Sequence, residues 1–246
     1  MIIQRLPWAG IRISEGDIVI VIDPISRILE EFGGAHEPMY PLSFFGNADA
    51  VLITHLHEDH FDPDAIIKAY GAAIPVYVPN EVAETARAAG LTNVNGVAVG
   101  TSFEIGGDVK VTALPSVDGL GDVQSAWVVE GGGRKVIHCG DTLWHGFWWG
   151  FAKNYGPFDA AFLPVNGAVL RLPGMMPSGQ PICLTPEQAV AAAAILGAVR
   201  LVPIHYGTMQ NPPIYNETPD IADRLAAASE GKVNISMIKA TETVTL

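Results

Sequence analysis

The chain has 246 residues and a formal net charge of −12, and hydrophobic residues make up 49% of it. A chain of this size and composition is globular and long enough for a substantial core. The acidic balance argues against nucleic acid as a partner, because phosphate contact needs clustered Lys and Arg. The longest apolar runs are strand-sized, well short of the roughly 20 residues that a helix needs to cross a bilayer.

The composition also bears on the compartment. No basic segment followed by an apolar run opens the sequence, so no signal peptide is expected. The two cysteines, Cys139 and Cys183, are too few for a disulfide framework in a chain of this length, which favours a reducing cytoplasm. No linker or shift in composition divides the chain, so residues 1–246 are predicted to form one domain.

Apolar runs predict strands in two series along the chain. Ile18 to Ile22 is β-branched throughout and is predicted to be buried on both faces of a sheet. The predicted strands are, in chain order, 18–22, 49–53, 75–78, 94–99, 102–105, 109–114, 126–130, 135–139, 159–165, 201–204 and 233–238. Glycine pairs and triplets between the middle strands predict hairpin turns.

Four helices are predicted between these strands. Asp62 can cap a helix whose first residue is Pro63. An Ala-rich helix is predicted at about 80–89. The run Thr185-Pro186-Glu187-Gln188 is a capping box that opens a further Ala-rich helix, and Thr218-Pro219 predicts another. Two series of strands with interspersed helices favour an α/β (α+β) fold of two sheets covered by helices.

The most informative segment is Thr54-His55-Leu56-His57-Glu58-Asp59-His60, which follows a predicted strand and holds three of the seven histidines. His55 and His57 are two residues apart and therefore point the same way in an extended chain, so both can bind one ion. Neutral imidazole suits zinc and other first-row metals, and carboxylate adds charge and can bridge. This segment predicts a metalloenzyme.

Two later segments place further candidate ligands at strand ends. Asp141 lies in the turn Cys139-Gly140-Asp141-Thr142, and His205 lies in Pro203-Ile204-His205-Tyr206-Gly207. Side chains at the ends of successive strands converge on one edge of a sheet. Thr54 and Thr142, each beside a candidate ligand, are predicted to orient the imidazoles.

The His-x-His-x-Asp-His motif, the later Gly-Asp-Thr and the final Pro-Ile-His-Tyr-Gly, in this order and spacing, resemble the metallo-β-lactamase superfamily. The branch that the chain resembles contains metal-dependent hydrolases such as bacterial ascorbate-6-phosphate lactonase. The resemblance extends from Ala9-Gly10 to His205 and implies an αββα four-layer sandwich with a dinuclear metal site between the edges of its sheets.

The resemblance also implies a ligand set and a pair of divalent metal ions, with zinc as the first choice and manganese or iron as alternatives. The implied ligands are His55 and His57 for the first ion, Asp59, His60 and His205 for the second, and Asp141 between the two.

One position departs from the family pattern. The family has a further histidine ligand after the middle strand, and this chain has Asp118 there. A carboxylate in this place would add negative charge, weaken the Lewis acidity of the site and favour a harder ion such as manganese or iron. If Asp118 is too short to reach, the first ion is weakly held or absent, and His36 or His145 could supply the ligand instead.

These residues predict metal-assisted hydrolysis of a small-molecule substrate, an ester, lactone, amide or phosphoester. In this hypothesis, a metal-bound hydroxide attacks a carbonyl or phosphoryl centre. Asp59 is predicted to orient the hydroxide, and Asn166, after the strand at 159–165, to donate to the oxyanion.

The surroundings of the predicted site suggest how substrate binds. Trp144, His145 and Trp148 lie in an aromatic segment directly after the Asp141 turn and are predicted to form an apolar substrate wall or lid. The same segment could instead belong to the core or to the interface of a homo-oligomer. Arg171, in a stretch rich in Pro, Gly and Met, is the candidate for binding a substrate anion.

Two other functions remain open from the sequence. A carboxylate-rich first site invites iron, as in a redox metalloprotein, although the diiron relatives carry an additional flavin domain for which this chain has no length. The other alternative is a non-catalytic binding protein that lost its activity together with the missing histidine.

Overall fold

The structure is a computed structural model that describes residues 1–30 and 33–246. Its strands are β1 (Ile2–Arg5), β2 (Ile11–Glu15), β3 (Ile18–Ile22), β4 (Ala50–Leu52), β5 (Val76–Pro79), β6 (Val94–Val97), β7 (Ser102–Ile105), β8 (Val109–Pro115), β9 (Ser125–Gly131), β10 (Arg134–His138), β11 (Ala160–Pro164), β12 (Val169–Leu170), β13 (Arg200–Ile204), β14 (Tyr215–Asn216), β15 (Asn234–Ile235) and β16 (Thr243–Thr245). Its helices are α1 (Pro63–Tyr70), α2 (Ala83–Ala88), α3 (Trp148–Tyr155), α4 (Pro186–Ile195) and α5 (Ile221–Ser229). Short 3-10 turns lie at Leu42–Phe45 and Asn80–Val82.

Two seven-stranded sheets form the centre of the molecule. The first has the order β16-β1-β2-β3-β4-β5-β6, antiparallel from β16 to β3 and parallel from β3 to β6. The second has the order β15-β13-β11-β10-β9-β8-β7, parallel from β15 to β10 and antiparallel from β10 to β7. The first sheet is therefore built from the first part of the chain, and β16 returns to its edge.

Alternation along the strands shows how the layers pack. In β3, Ile20 and Ile22 belong to the core between the two sheets, while Val21 packs with α1 and α2 on the outer side. In β11, Phe162 lies between the sheets and Leu163 packs with α3, α4 and α5. The predicted αββα sandwich is confirmed. Among the described residues, no helix combines the length and the apolar character that crossing a membrane requires.

Hydrogen bonds at two helix starts confirm the sequence prediction. The Asp62 side chain accepts a bond from the backbone N–H of Ala65 at the start of α1 (3.1 Å). At the start of α4, Thr185 and Gln188 exchange the two bonds of the predicted capping box (3.0 and 3.4 Å). These bonds satisfy N–H groups that have no partner inside a helix, so both helices begin where the sequence predicts.

Other predicted boundaries are wrong. The last helix begins at Ile221 rather than Pro219, because Asp220 has a left-handed backbone (φ 54°) that a helix cannot include. The predicted helix at 80–89 is a 3-10 turn followed by α2, and only two residues of the predicted strand at 233–238 pair with β13.

The aromatic segment after Asp141 leads into a helix that is not among the four predicted from the sequence. This helix is α3. Trp148 and Phe151 lie three residues apart and so share one face of this helix, which packs on the second sheet.

Candidate metal centre

Loops after five strands meet at one end of the two sheets. In the first sheet, Asp23 follows β3 and the segment Thr54 to His60 follows β4. In the second sheet, Asp118 follows β8, Asp141 follows β10 and His205 follows β13. Within each sheet these strands run in the same direction, so their carboxyl ends lie at one edge.

The first group of candidate ligands joins two imidazoles to two carboxylates. One atom from each of His55, His57, Asp118 and Asp141 lies within 4.8 Å of all the others. His55 Nε2 is 2.8 Å from His57 Nδ1 and 3.7 Å from Asp141 Oδ2. His57 Nδ1 is 3.7 Å from Asp118 Oδ1. The short Asp118 side chain therefore reaches the group.

The two alternative ligands for this group lie elsewhere. His36 is exposed, with its Nε2 3.4 Å from the backbone oxygen of Gln210. The His145 ring stacks on Trp148, with ring centroids 3.9 Å apart. Neither histidine belongs to a group of candidate ligands in the part of the chain that the structure describes.

The second group comprises Asp59, His60 and His205. Asp59 Oδ2 is 3.8 Å from His60 Nε2 and 3.4 Å from His205 Nε2. Cys183, a buried residue that the sequence does not single out as a ligand, forms a third group with Asp141 and His205. Because Asp141 and His205 each belong to two groups, the three groups are contiguous.

Hydrogen bonds on the outer side of two rings show which nitrogens carry lone pairs. His55 Nδ1 donates to the Thr54 hydroxyl (3.0 Å), which itself donates to Asp23, and His57 Nε2 donates to Asp122 (2.8 Å). The remaining nitrogens, His55 Nε2 and His57 Nδ1, are 2.8 Å apart and carry lone pairs when the rings are neutral. Two facing lone pairs repel each other, and a cation beside them removes that repulsion. These residues therefore fit a metal ion.

The second group supports the same conclusion. His60 Nδ1 donates to Asp23 Oδ2 (2.8 Å), and His205 Nδ1 lies 3.9 Å from Cys183 Sγ. The Nε2 atoms of both rings and Asp141 Oδ1 are buried and have no hydrogen-bond partner among the described residues. A buried polar atom without a partner costs about 1–3 kcal/mol, and cations held by the second and third groups, which share His205, would satisfy these atoms.

Asp23 orients one ring of each group. Its buried carboxylate accepts bonds from the Thr54 N–H (2.8 Å), the Thr54 hydroxyl (2.7 Å) and His60 Nδ1. Such bonds fix the tautomer and direction of a ligating imidazole. Asp23 therefore orients His60 directly and His55 through Thr54, whose predicted role the geometry supports. The sequence places Asp23 inside the resemblance but does not indicate this role.

The loop that carries Asp118 is held in place by hydrogen bonds. Asp118 Oδ2 accepts from the N–H groups of Leu120 (2.7 Å) and Asp122 (3.0 Å), which leaves Oδ1 facing His57. The Thr142 hydroxyl accepts a hydrogen bond from the backbone N–H of Val117 (3.2 Å). Thr142 therefore holds the loop that carries Asp118, and does not orient an imidazole as predicted. The loop places one carboxylate at each nitrogen of His57.

The groups of the centre shift one another's pKa values. Burial raises the pKa of Asp141 to about 7. Burial alone would lower the pKa of His60, but the carboxylates of Asp59 and Asp23 outweigh it and raise the pKa to about 9. Burial lowers the pKa of His205 to about 4, so this ring is neutral at pH 7. The neutral His205 ring beside the crowded carboxylates of Asp59 and Asp141 is a donor set that suits a divalent cation.

Trp8 contacts this centre from the loop between β1 and β2, and sequence reasoning missed it. Its indole N–H donates to Asp59 Oδ2 (2.9 Å), and its ring lies 4.1 Å from the His205 ring. Its backbone oxygen accepts from the His205 N–H (3.2 Å) and from Arg5 Nη1. Trp8 therefore supports two candidate ligands that come from different sheets.

Replacing Trp8 by Phe is expected to weaken zinc binding about tenfold or more. The phenyl ring keeps much of the packing but cannot donate to Asp59, and the outer partners of metal ligands contribute about 10–100-fold in affinity. Calorimetric titration of the metal-free protein with zinc measures the change. Trp148→Phe is the matched control, because Trp148 is equally buried and its indole nitrogen has no hydrogen-bond partner in the described residues. Equal zinc affinities for W8F and W148F would contradict this role.

A cavity of about 350 Å³ opens over the candidate ligands. It is lined by His57, Asp59, Asp141 and His205 of the centre, together with Leu29, Leu56, Glu58, Leu120, Leu170, Ile182, Met209 and Tyr215. Its volume is at the lower end of the range of about 300–1,000 Å³ for small-molecule sites. The cavity can therefore take a small molecule beside the ligands.

Four predicted substrate contacts do not line this cavity. Asn166 is buried, and its amide nitrogen donates to the Tyr215 hydroxyl, so Tyr215 is the residue that reaches the wall. Trp148 belongs to the core between α3 and the second sheet, His145 stacks on it, and Trp144 is partly exposed on the same segment. Within this segment Trp148 is a core residue, whereas Trp144, Phe147 and Trp149 are exposed.

Arg171, the predicted contact for a substrate anion, does not line this cavity either. Arg171 is exposed and absent from the cavity wall, whereas the preceding residue, Leu170, lines it. Neighbouring residues of an extended chain point in opposite directions, so only one of the two can face the cavity.

Comparison with known proteins identifies the family. The model of the β-lactamase superfamily domain matches residues 19–206, a span that contains every candidate ligand. The chain belongs to the β-lactamase superfamily. A relative in this superfamily, the UPF0173 metal-dependent hydrolase of Rubrobacter xylanophilus, is 31% identical over 234 residues, which cover 89% of this chain and 86% of that protein. The chain is accordingly a metal-dependent hydrolase.

Solved structures show the same superfamily fold. Isothiocyanate hydrolase from Delia radicum gut bacteria has a TM-score of 0.78 at 20% identity, covering 100% of this chain and 99% of that one. CmlA, a diiron β-hydroxylase from Streptomyces venezuelae, has a TM-score of 0.77 at 17% identity, covering 100% of this chain and 54% of that one. At these identities the likeness concerns the fold alone.

Proposed function

We propose that this superfamily member uses two divalent metal ions to hydrolyse a small ester, lactone, amide or phosphoester. The observation that carries the proposal is the pair of imidazole nitrogens, His55 Nε2 and His57 Nδ1, that face each other at 2.8 Å beside Asp141. The buried, unpartnered atoms of the second group support a second ion next to the first.

The proposed ligands are His55, His57, Asp118 and Asp141 for one ion and Asp59, His60, His205 and Asp141 for the other. Zinc is the first choice because each set contains two imidazoles, and manganese and iron are alternatives because three carboxylates, Asp59, Asp118 and Asp141, take part. When bound, such ions supply Lewis acidity and lower the pKa of nearby water to about 7.

The side chains of the centre position the reactants. Asp59 is fixed by Trp8 on one side and faces His60 and His205 on the other, and it also lines the cavity. From there it accepts a hydrogen bond from the attacking water and so orients it. The aliphatic part of the cavity wall excludes bulk water, which strengthens the electrostatic interactions at the reacting centre.

Elemental analysis of gently purified protein tests the proposal, followed by a screen of lactones, esters and phosphoesters with the same metal restored. Zinc or manganese in stoichiometric amount, together with turnover of a generic ester, supports it. Protein that binds no divalent metal, or that hydrolyses none of these bonds when loaded, contradicts it.

Asp118→Asn is expected to weaken binding of the first ion by at least about tenfold. The amide oxygen can still accept the two loop N–H bonds, so the change removes charge and leaves the loop in place. Zinc titration should then show one affinity lowered and the other preserved. The control is Asp108→Asn, since Asp108 is exposed in the turn between β7 and β8 and belongs to no ligand group. A wild-type isotherm for D118N would remove Asp118 from the ligand set.

Iron is the second candidate for the bound metal, and Asp118 is the observation that favours it. With Asp118 and Asp141, the first group contains as many carboxylates as imidazoles, a donor set that suits iron. Stoichiometric iron in the purified protein, with ester turnover that depends on it, would select iron over zinc.

A further inference from the structure

We propose that the substrate is an uncharged molecule with an apolar portion, and that the cavity disfavours anions such as phosphoesters. This inference rests on the proposed function, because it takes the cavity over the candidate ligands as the substrate site. It narrows the proposed substrate classes to uncharged esters, lactones and amides.

The composition of the cavity wall is the first argument. Half of its twelve residues are aliphatic or methionine side chains, and the others belong to the ligand groups or are Glu58 and Tyr215. The apolar members are Leu29, Leu56, Leu120, Leu170, Ile182 and Met209. They form the wall beyond the ligands, where the part of a substrate remote from the reacting bond must lie. Contact with these side chains removes apolar substrate surface from water, which is favourable.

The absence of cationic side chains is the second argument. No Lys or Arg is among the described residues that line the cavity. Arg27 and Arg171 are close in sequence to lining residues, but both are exposed outside the wall. Arg5, behind Trp8, donates from Nη1 to the backbone oxygens of Leu6 and Trp8. Proteins recognise phosphate and carboxylate with Arg or Lys, and this wall offers neither.

Additional acidic groups are the third argument. Glu58 lines the cavity, and Asp122 is exposed at the outer nitrogen of His57. Both carboxylates lie outside the two proposed ligand sets. With two divalent ions bound, Asp59, Asp118 and Asp141 offset three of their four positive charges, and the exposed Glu58 adds a fourth negative charge at the cavity. A negatively charged substrate group therefore gains little from the ions and has no cationic side chain to pair with.

Two matched ethers test this inference without turnover. The probes are 2-nitroanisole and its sulfonated form, 4-methoxy-3-nitrobenzenesulfonate, which differ by one anionic group and contain no bond of the proposed classes. Equilibrium dialysis against the zinc-loaded protein is expected to show at least about tenfold tighter binding of the neutral ether. Equal or tighter binding of the sulfonated ether overturns the inference, and so does a lack of measurable binding of the neutral one.

The corresponding butyrate esters separate this inference from the proposed function. They are 2-nitrophenyl butyrate and 4-butyryloxy-3-nitrobenzenesulfonate, with rates corrected for spontaneous hydrolysis. If the ethers show the preference but neither ester is hydrolysed, the selectivity of the cavity is supported and ester hydrolysis is contradicted. If both esters are hydrolysed with similar kcat/KM, hydrolysis is supported and the inference is overturned.

A positive charge introduced into the cavity wall provides a second test of the inference. Leu120 lines the cavity and is 47% exposed, so Leu120→Lys can be accommodated without burying its ammonium group. This change is expected to tighten binding of the sulfonated ether about fivefold. Val199→Lys is the matched control, because Val199 is 56% exposed and does not line the cavity. The same affinity for the sulfonated ether in L120K and V199K overturns the inference.

Discussion

Asp141→Asn is expected to lower zinc affinity by more than about 100-fold and to reduce ester hydrolysis below detection. Asp141 belongs to the first group and also to the group with Cys183 and His205, so its carboxylate lies where both proposed ions would bind. Since the outer partners of metal ligands already contribute about 10–100-fold, a shared ligand should contribute more. The amide has nearly the same shape, so the change tests charge rather than packing.

Zinc titration and the hydrolysis of a neutral nitrophenyl ester measure the two effects of Asp141→Asn. Asp159→Asn is a suitable control, because Asp159 is an acid paired with Arg134 (2.8 Å) on the second sheet and belongs to no ligand group. Wild-type metal content together with wild-type turnover in D141N would exclude the dinuclear arrangement proposed here.

Asp23→Ala is expected to destabilise the fold by about 3 kcal/mol or more and to weaken zinc binding about 10–100-fold. The substitution leaves the N–H and hydroxyl of Thr54 and the Nδ1 of His60 without their buried acceptor. Urea unfolding of the metal-free protein measures the first effect, and zinc calorimetry measures the second.

Asp23→Asn separates the two effects. An asparagine can still accept the Thr54 N–H through one oxygen, so the loss of stability should be smaller. Its amide N–H₂ would face His60 Nδ1 and favour the tautomer whose Nε2 carries the proton, which cannot bind metal. Zinc affinity should therefore fall as far as in D23A. If D23N bound zinc with wild-type affinity, Asp23 would contribute to stability but not to metal binding.

Local sequence signals predict the parts of the fold that depend on local chemistry. The caps at Asp62 and Thr185 are correct because each uses side chains within a few residues of the N–H groups that it satisfies. The strand β16 has three residues and is held by pairing with β1 at the other end of the sequence. Its short pattern therefore gives little indication of a strand, and nothing local indicates the partner.

In the candidate metal centre, too, residues within local motifs are predictable from the sequence and long-range contacts are not. His55, His57 and Asp59 belong to one motif, and the ends of β10 and β13 indicate Asp141 and His205. Trp8 could not be predicted, because its contacts with Asp59, 51 residues away, and with His205 of the other sheet exist only in the folded chain. The burial of Trp148 in the core could have been predicted, because its spacing of three residues from Phe151 is that of one apolar face of a helix.

Because the candidate ligands come from both sheets, metal binding is expected to affect the stability of the fold. His55 to His60 extend from the first sheet, whereas Asp118, Asp141 and His205 extend from the second. An ion bound among these residues would cross-link the two sheets at the end where their loops meet. By mass action it adds about 2.7 kcal/mol to the free energy of unfolding when its free concentration is 100 times Kd. The free metal concentration is then expected to set the equilibrium stability of the fold as well as the occupancy of the site.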